Sequence, residues 1–166
     1  MKKISRESGR SMIELVGVLA VMGLITAGAF VLIRSGMASQ KRSRVADEVA
    51  VIAANVRSLS AEKENFDNLS AKPTTWANTN ATAKLAGAML GATAAVATPL
   101  SSDSYYAVAK TNCGSGGTNC TKFVVALVSV PANDCTVLAS ATWGGNGTAS
   151  CPTSPGTTLE ITYGKD

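Results

Sequence analysis

The residues able to do chemistry in this chain are few: one carboxylate beside a long apolar run, and four cysteines in the last third. Glu14 closes the segment Gly9-Arg10-Ser11-Met12-Ile13-Glu14. The run from Leu15 to Ile33 that follows has no charge, no proline and no side-chain amide. A carboxylate at the lip of a membrane-length apolar helix is costly unless a partner meets it. The use that offsets this cost is assembly, in which a cation from a second copy neutralises Glu14 and sets the axial register of the two helices. The competing use is an unpaired carboxylate that snorkels toward the interface.

Cys113, Cys120, Cys135 and Cys151 make an even set in a region rich in Ala, Thr and Gly. Their spacing contains no Cys-x-x-Cys, and the chain has no His, so a zinc site is disfavoured and no metal is expected. Disulfides in an oxidising compartment are the expectation. Three pairings are possible. The favoured one joins Cys113 to Cys120, closing a glycine-rich hairpin, and Cys135 to Cys151, tying a short helix to the segment before the last strand. No catalytic constellation emerges: the usual general base is missing, and Asp103, Asp134, Glu160 and Asp166 are scattered without pairing. The chain is expected not to be an enzyme and to need no cofactor.

These groups must be positioned by surrounding elements. The 166 residues fit one domain with or without an appendage. Charge is sparse, and the net +4 is local: Lys2, Lys3, Arg6 and Arg10 precede the apolar run, and Arg34, Lys41, Arg42 and Arg44 follow it. That pattern flanks a membrane span rather than lining a nucleic-acid face, so no nucleic-acid partner is expected. With similar counts on both sides, the positive-inside rule is nearly tied. The run of ~19 apolar residues spans a bilayer and exceeds a usual signal-peptide core. It leads directly into a second pattern, with Val45, Val49, Ile52, Val56 and Leu59 at a/d spacing and Ala46, Ala50, Ala53 and Ala54 between them. One helix from Glu14 to about Lys63 is therefore expected, on the order of 75 Å long. Gly17, Gly23 and Gly28 inside it each cost ~1 kcal/mol relative to Ala, and permit close helix contact or local unwinding.

Beyond Asn65 the composition shifts to Ala, Thr, Asn and Ser, with Pro73 and Pro99 as breakers. A short helix is expected over Ala83 to Leu90. Strands are expected over Ser104–Lys110, Lys122–Val130 and Thr157–Tyr163. A one-to-two-turn helix is expected over Pro131–Ala141, with Asn133 or Asp134 as N-cap. The expected fold class is α+β, a long N-terminal α-helix packed on a small antiparallel β-sheet head domain. The expected divisions are residues 1–9, 10–34 and 35–64 (leader, apolar half-helix and amphipathic half-helix) and a globular head over 65–166. Sequons at Asn68, Asn80, Asn119 and Asn146 read as chance in so Asn- and Thr-rich a chain.

The segment Gly9 to Glu14 with its apolar helix resembles the class III leader of type IV prepilins. Glu14 takes the family's fifth mature position and Gly23 its fourteenth, if Arg10 is the first mature residue. Val31 stands where many members carry proline, which resembles the type IVb branch. The stretches Ala53-Ala-Asn-Val-Arg-Ser-Leu59 and Phe123 through Val130-Pro131-Ala-Asn-Asp-Cys135 look like the PilS-type conjugative thin-pilus pilins. Arg10 departs from the family's apolar first residue. The resemblance implies a cut between Gly9 and Arg10 by a prepilin peptidase and methylation of the Arg10 amine. It also implies a homo-oligomeric helical filament built with a pilus assembly ATPase and an inner-membrane platform protein. The subunit would reside in inner-membrane lipid, with its head periplasmic, before entering an extracellular pilus. A type II secretion pseudopilin and a membrane-anchored periplasmic binding protein that never polymerises are the alternatives.

Overall fold

A continuous helix, α1, runs from Ser8 to Ser60 in the computed structural model, which describes residues 8–63, 65–78, 80–152 and 158–164. It starts before Glu14, the expected beginning, because nothing in Ser8 to Ile13 breaks a helix; no proline interrupts it anywhere. The chain divides into two compact units, Met1–Gln40 and Lys41–Asp166, so α1 contributes to both. Among the described side chains of α1, the first with appreciable cover is Ala38.

In the second unit, the C-terminal part of α1 packs on a four-stranded antiparallel sheet of β1 (Tyr105–Thr111), β2 (Lys122–Val128), β3 (Thr148–Ser150) and β4 (Leu159–Gly164). The strand order is β1-β2-β4-β3. Two further helices, α2 (Ala81–Met89) and α3 (Ala132–Ala139), complete the unit. The architecture is α+β.

One buried cluster joins Val45, Val49, Ile52, Ala53 and Val56 of α1 to Tyr106, Val108, Phe123, Val125, Leu127, Leu159, Ile161 and Tyr163 of the sheet. Those strand positions alternate, as period-2 geometry requires. The opposite face carries small residues, and Ala107, Ala126 and Val128 are covered there by Ala83 of α2, with Trp76, Ala95 and Tyr105 alongside. β2 is thus covered on both faces, which explains its unbroken apolar run. β4, covered on one face only, alternates buried with half-buried. α2 lies along β1 and sends Ala86 and Met89 to one cluster and Ala83 to the other. The edge of β1 is met by loop backbone instead, with Tyr106 N–H donating to the Val96 carbonyl at 3.2 Å and Lys110 N–H to the Ser70 carbonyl at 2.9 Å, which closes groups that would otherwise invite pairing.

Three expectations need correction. Leu59 is 54% exposed, and Ser60 is buried in its place. A single helix lying on a sheet keeps the 3.6-residue period, whereas the a/d reading assumes 3.5, and the mismatch moves the seam round by the fourth turn. The N-cap of α3 is Pro131, whose carbonyl accepts from Asp134 and Cys135 N–H at 2.9 and 3.0 Å, so neither Asn133 nor Asp134 caps it. β3 was not expected, since Thr148-Ala149-Ser150 has too short a pattern to read. It exists because β4 offers a free edge and Gly147 lets the chain approach: a Cβ there would lie 2.6 Å from the Tyr163 ring. The other expected helices and strands are present with their ends shifted by a few residues.

Ile52→Ala should lower the stability of the second unit by about 2–5 kcal/mol, because it opens a cavity under a fully buried side chain. Leu59→Ala should change it by less than ~0.5 kcal/mol. Denaturant unfolding of the full chain in micelles, followed by tryptophan fluorescence, separates the observed seam from the a/d reading, which would give both substitutions similar effects.

Candidate functional site

Within the first unit, α1 is apolar on every side and uncovered. An 18-residue window of mean hydropathy 2.5 has none of its residues buried, which makes this helix long and apolar enough to cross a membrane. Fifteen large apolar side chains between Met12 and Met37 are more than half exposed. At ~1.5–3 kcal/mol for each such side chain removed from water, leaving them all wet would cost a few tens of kcal/mol. That exceeds the roughly 5–15 kcal/mol net stability of a typical domain. Such a surface is suited to cover by lipid or by other helices.

Glu14 is exposed and has neither hydrogen bond nor ion pair among the described residues. Gly9 and Arg10 lie in the first turn of α1, whereas Met1 to Glu7, most of the expected leader, fall outside the described residues. A Cβ at Gly17, Gly23 or Gly28 would meet nothing within 4 Å. No contact among the described residues therefore requires glycine at these positions. At about 100° per residue, Gly17 and Gly28 lie within ~60° of Glu14 around the helix, and Gly23 lies opposite. Toward the end of the unit, the Thr26 hydroxyl donates to the Met22 carbonyl at 2.7 Å, and the Arg34 guanidinium sits 5.0 Å over the Phe30 ring.

The second unit is fastened by a small set of polar and covalent links. Cys113 is bonded to Cys120 and Cys135 to Cys151, the favoured pairing. The first bridge closes the loop between β1 and β2. Asp67 clamps that loop from outside, its carboxylate accepting the Asn119 and Cys120 N–H groups, each at 2.9 Å. Those two backbone donors hold the Asp67 pKa below the ordinary carboxylate value, with smaller help from Lys110 and Lys63. Lys110 Nζ donates to the Gly117 carbonyl at 3.0 Å from within the hairpin. The second bridge joins α3 to the segment after β3.

Side by side with Cys135, Asp134 accepts from Arg42 Nε and Nη2 at 2.9 and 2.7 Å, linking α3 to α1. Tyr106, fully buried, donates from its hydroxyl to Glu48 at 2.7 Å, and Arg44 Nε donates to the other oxygen of that carboxylate at 2.9 Å. Burial, then Glu48, push the Tyr106 pKa far above the ordinary phenol value, so it remains a donor. Arg42 and Arg44, which the sequence presents as part of a membrane-flanking cluster, therefore bind carboxylates of the second unit. Arg44 and Glu48 stand at i and i+4 on α1, a spacing visible in the sequence, whereas nothing local signals the role of Arg42, because it and Asp134 are 92 positions apart. Asp67 is likewise silent in the sequence.

No protein-family model, curated protein or solved structure significantly matches this chain. Among the described residues, no three His, Cys, Asp or Glu side chains gather closely enough to hold a metal ion.

Replacing Cys135 and Cys151 together by Ser should cost about 3 kcal/mol, the loop-closure value for a segment of roughly this length. Limited proteolysis of the full chain should then cut within the last third while the α1 apolar segment stays protected in micelles. Asp67 supplies a pH test. Its lowered folded pKa means that its contribution is present above about pH 4 and is lost as pH falls through the folded value. The melting temperature should drop on acidification below pH ~4, and Asp67→Asn should start lower at neutral pH and drop less. An unchanged acid profile in Asp67→Asn would remove the clamp from the explanation.

Proposed function

We propose that this chain is a structural pilin subunit of a type IV pilus of the IVb-like kind, polymerising through the apolar part of α1. The observation that carries the reading is a helix with fifteen uncovered large apolar side chains and, at its N-terminal lip, a carboxylate with no partner among the described residues. A lipid anchor alone would explain the apolar surface. It would leave Glu14 at the edge of hydrocarbon without a counter-ion, which is the expensive arrangement. Cleavage between Gly9 and Arg10 by a prepilin peptidase would create an α-ammonium four residues from Glu14. In a filament that ammonium would meet the Glu14 of a neighbour. A pair of opposite charges in hydrocarbon costs far less than a lone one, and its directionality supplies the register that apolar packing lacks.

The rest of the reading follows from the sequence resemblance. The subunit waits in the inner membrane with its head in the periplasm, carries a methylated Arg10 amine, and is raised into the filament by an assembly ATPase and a platform protein. Two disulfides suit a head that matures in an oxidising compartment. They count against the pseudopilin alternative, and the lone carboxylate counts against a non-polymerising anchor. The polar and covalent fastenings of the second unit serve a structural load rather than turnover.

Glu14→Ala should leave leader removal largely intact, because the scissile bond lies outside the charge pair, while reducing filament number at least ~10-fold, as a lost charge-assisted contact of about 1.4 kcal/mol or more implies. Electron microscopy of sheared filaments, with intact-mass measurement of the subunit, checks both halves. Normal filament numbers in Glu14→Ala, or filament protein that retains Met1 to Gly9, would overturn the reading.

A further inference from the structure

A second feature of the Lys41–Asp166 unit has no part in assembly through α1. A cleft of about 400 Å³ opens beside the start of β1, lined by Asn78, Ala95, Ala97, Ser102, Asp103 and Tyr105. Its size is within the ~300–1,000 Å³ range of small-ligand sites. Four of its polar side chains, the Asn78 amide, the Ser102 hydroxyl, the Asp103 carboxylate and the Tyr105 hydroxyl, have no hydrogen-bond partner among the described residues.

The wall that carries Asp103 is held rigid. Thr98 N–H donates to the Ser104 carbonyl at 2.8 Å, and the Ser104 hydroxyl donates to the Ser101 carbonyl at 2.8 Å. The Thr98 and Ser104 hydroxyls bond to each other in a buried position. Tyr106 N–H donates to the Val96 carbonyl at 3.2 Å, closing the base of the loop. Asp103 and Tyr105 are therefore presented on a hydrogen-bonded frame, which limits the ordering lost there on binding.

The chemistry of the lining narrows the ligand. No Lys or Arg lines the cleft, and Asp103 repels anions. One carboxylate is too few for calcium, which takes 6–8 oxygens. A lone exposed carboxylate contributes only about 0–1 kcal/mol toward a cationic peptide. An uncharged polyol remains. Its hydroxyls both donate and accept, which matches a carboxylate that only accepts, an amide that does both and a phenol that does both. The Tyr105 ring and the methyls of Ala95 and Ala97 offer apolar surface to the C–H face of a pyranose. We propose that this cleft binds a neutral saccharide unit, with Asp103 and Asn78 as its hydrogen-bonding groups and Tyr105 as its aromatic floor. The proposal is independent of polymerisation. In a filament the cleft would repeat with every copy, so weak single-site binding would be raised by avidity.

The test uses the full chain in a zwitterionic, sugar-free detergent, so its outcome does not depend on filaments forming. Saturation-transfer NMR is run with glucose, galactose, N-acetylglucosamine and N-acetylgalactosamine. At least one should bind with Kd of about 1–10 mM, a typical single-site strength of roughly −3 to −4 kcal/mol. Binding should be insensitive to added salt and to chelator. It should weaken at least ~10-fold in Asp103→Ala and in the Asn78→Ala/Asp103→Ala double variant. Asp103→Asn, nearly isosteric on an exposed loop, keeps the test decisive if the double variant fails to fold. Its sugar binding should also weaken, because the acceptor-only group is gone. The proposal is overturned if none of the four sugars binds, if binding survives in Asp103→Asn and Asp103→Ala, or if binding requires calcium. Salt-sensitive binding of a lysine-rich peptide that displaces the sugar would also overturn it.

Discussion

An apolar helical surface with no cover of its own constrains everything else in this protein. The side chains from Met12 to Ile33 face outward on all sides of α1, and no other described part of the first unit buries them. Moving them from water to an apolar environment is favoured by tens of kcal/mol on simple area arguments. Non-directional apolar packing can cover such a surface, but it cannot specify how neighbouring helices align along their axes. A charged group at the edge of hydrocarbon is different, because an ion pair there has one favourable position and many unfavourable ones, and this is why the proposed assembly is built on Glu14. The glycines on the side of Glu14, Gly17 and Gly28, leave room there that nothing within the chain uses.

The second unit solves a different problem, that of making a stable fold from small side chains. Aromatic residues are only 5% of the chain, and the outer face of the sheet is covered largely by alanine. Small residues bury little area apiece but allow close approach, as where Gly147 passes the Tyr163 ring. Larger rings concentrate on the helix-facing side, where Phe123 stacks near both Phe66 and Tyr163 with centroids 4.8 and 5.1 Å apart. Two disulfides and several side-chain clamps supplement the thin core. The Arg42–Asp134 pair and the Cys135–Cys151 bridge act on adjacent residues of α3, so that one short helix is held both to α1 and to the chain beyond β3.

Charged groups divide accordingly. Glu14 has no partner among the described residues, whereas Glu48, Asp67, Asp134 and Glu160 in the second unit each accept hydrogen bonds from within the chain. Asp103 accepts none among the described residues, on a loop where the Ser101 and Ser104 hydroxyls are engaged. A carboxylate left free on a rigid frame is available to a ligand at little ordering cost, whereas one on a mobile chain is not.

What the sequence by itself determined is whatever depends on neighbours along the chain. The apolar run, its flanking charges, the position of Glu14, the amphipathic seam through Val45, Val49, Ile52 and Val56, and three of the four strands are all legible as composition and period. The cysteine pairing was legible only as one favoured choice among three, since proximity in space is not written in spacing. Tertiary structure alone decided the rest. It moved the seam off Leu59 and onto Ser60, because a helix on a sheet keeps 3.6 residues per turn. It made a strand of Thr148–Ser150 by offering the edge of β4, and gave Arg42 to Asp134 and Asp67 to the Cys113–Cys120 loop. It also gathered Asn78, Asp103 and Tyr105 around one cleft. Each of these joins residues far apart in sequence, and a period or a motif records only what lies within a few turns of the chain.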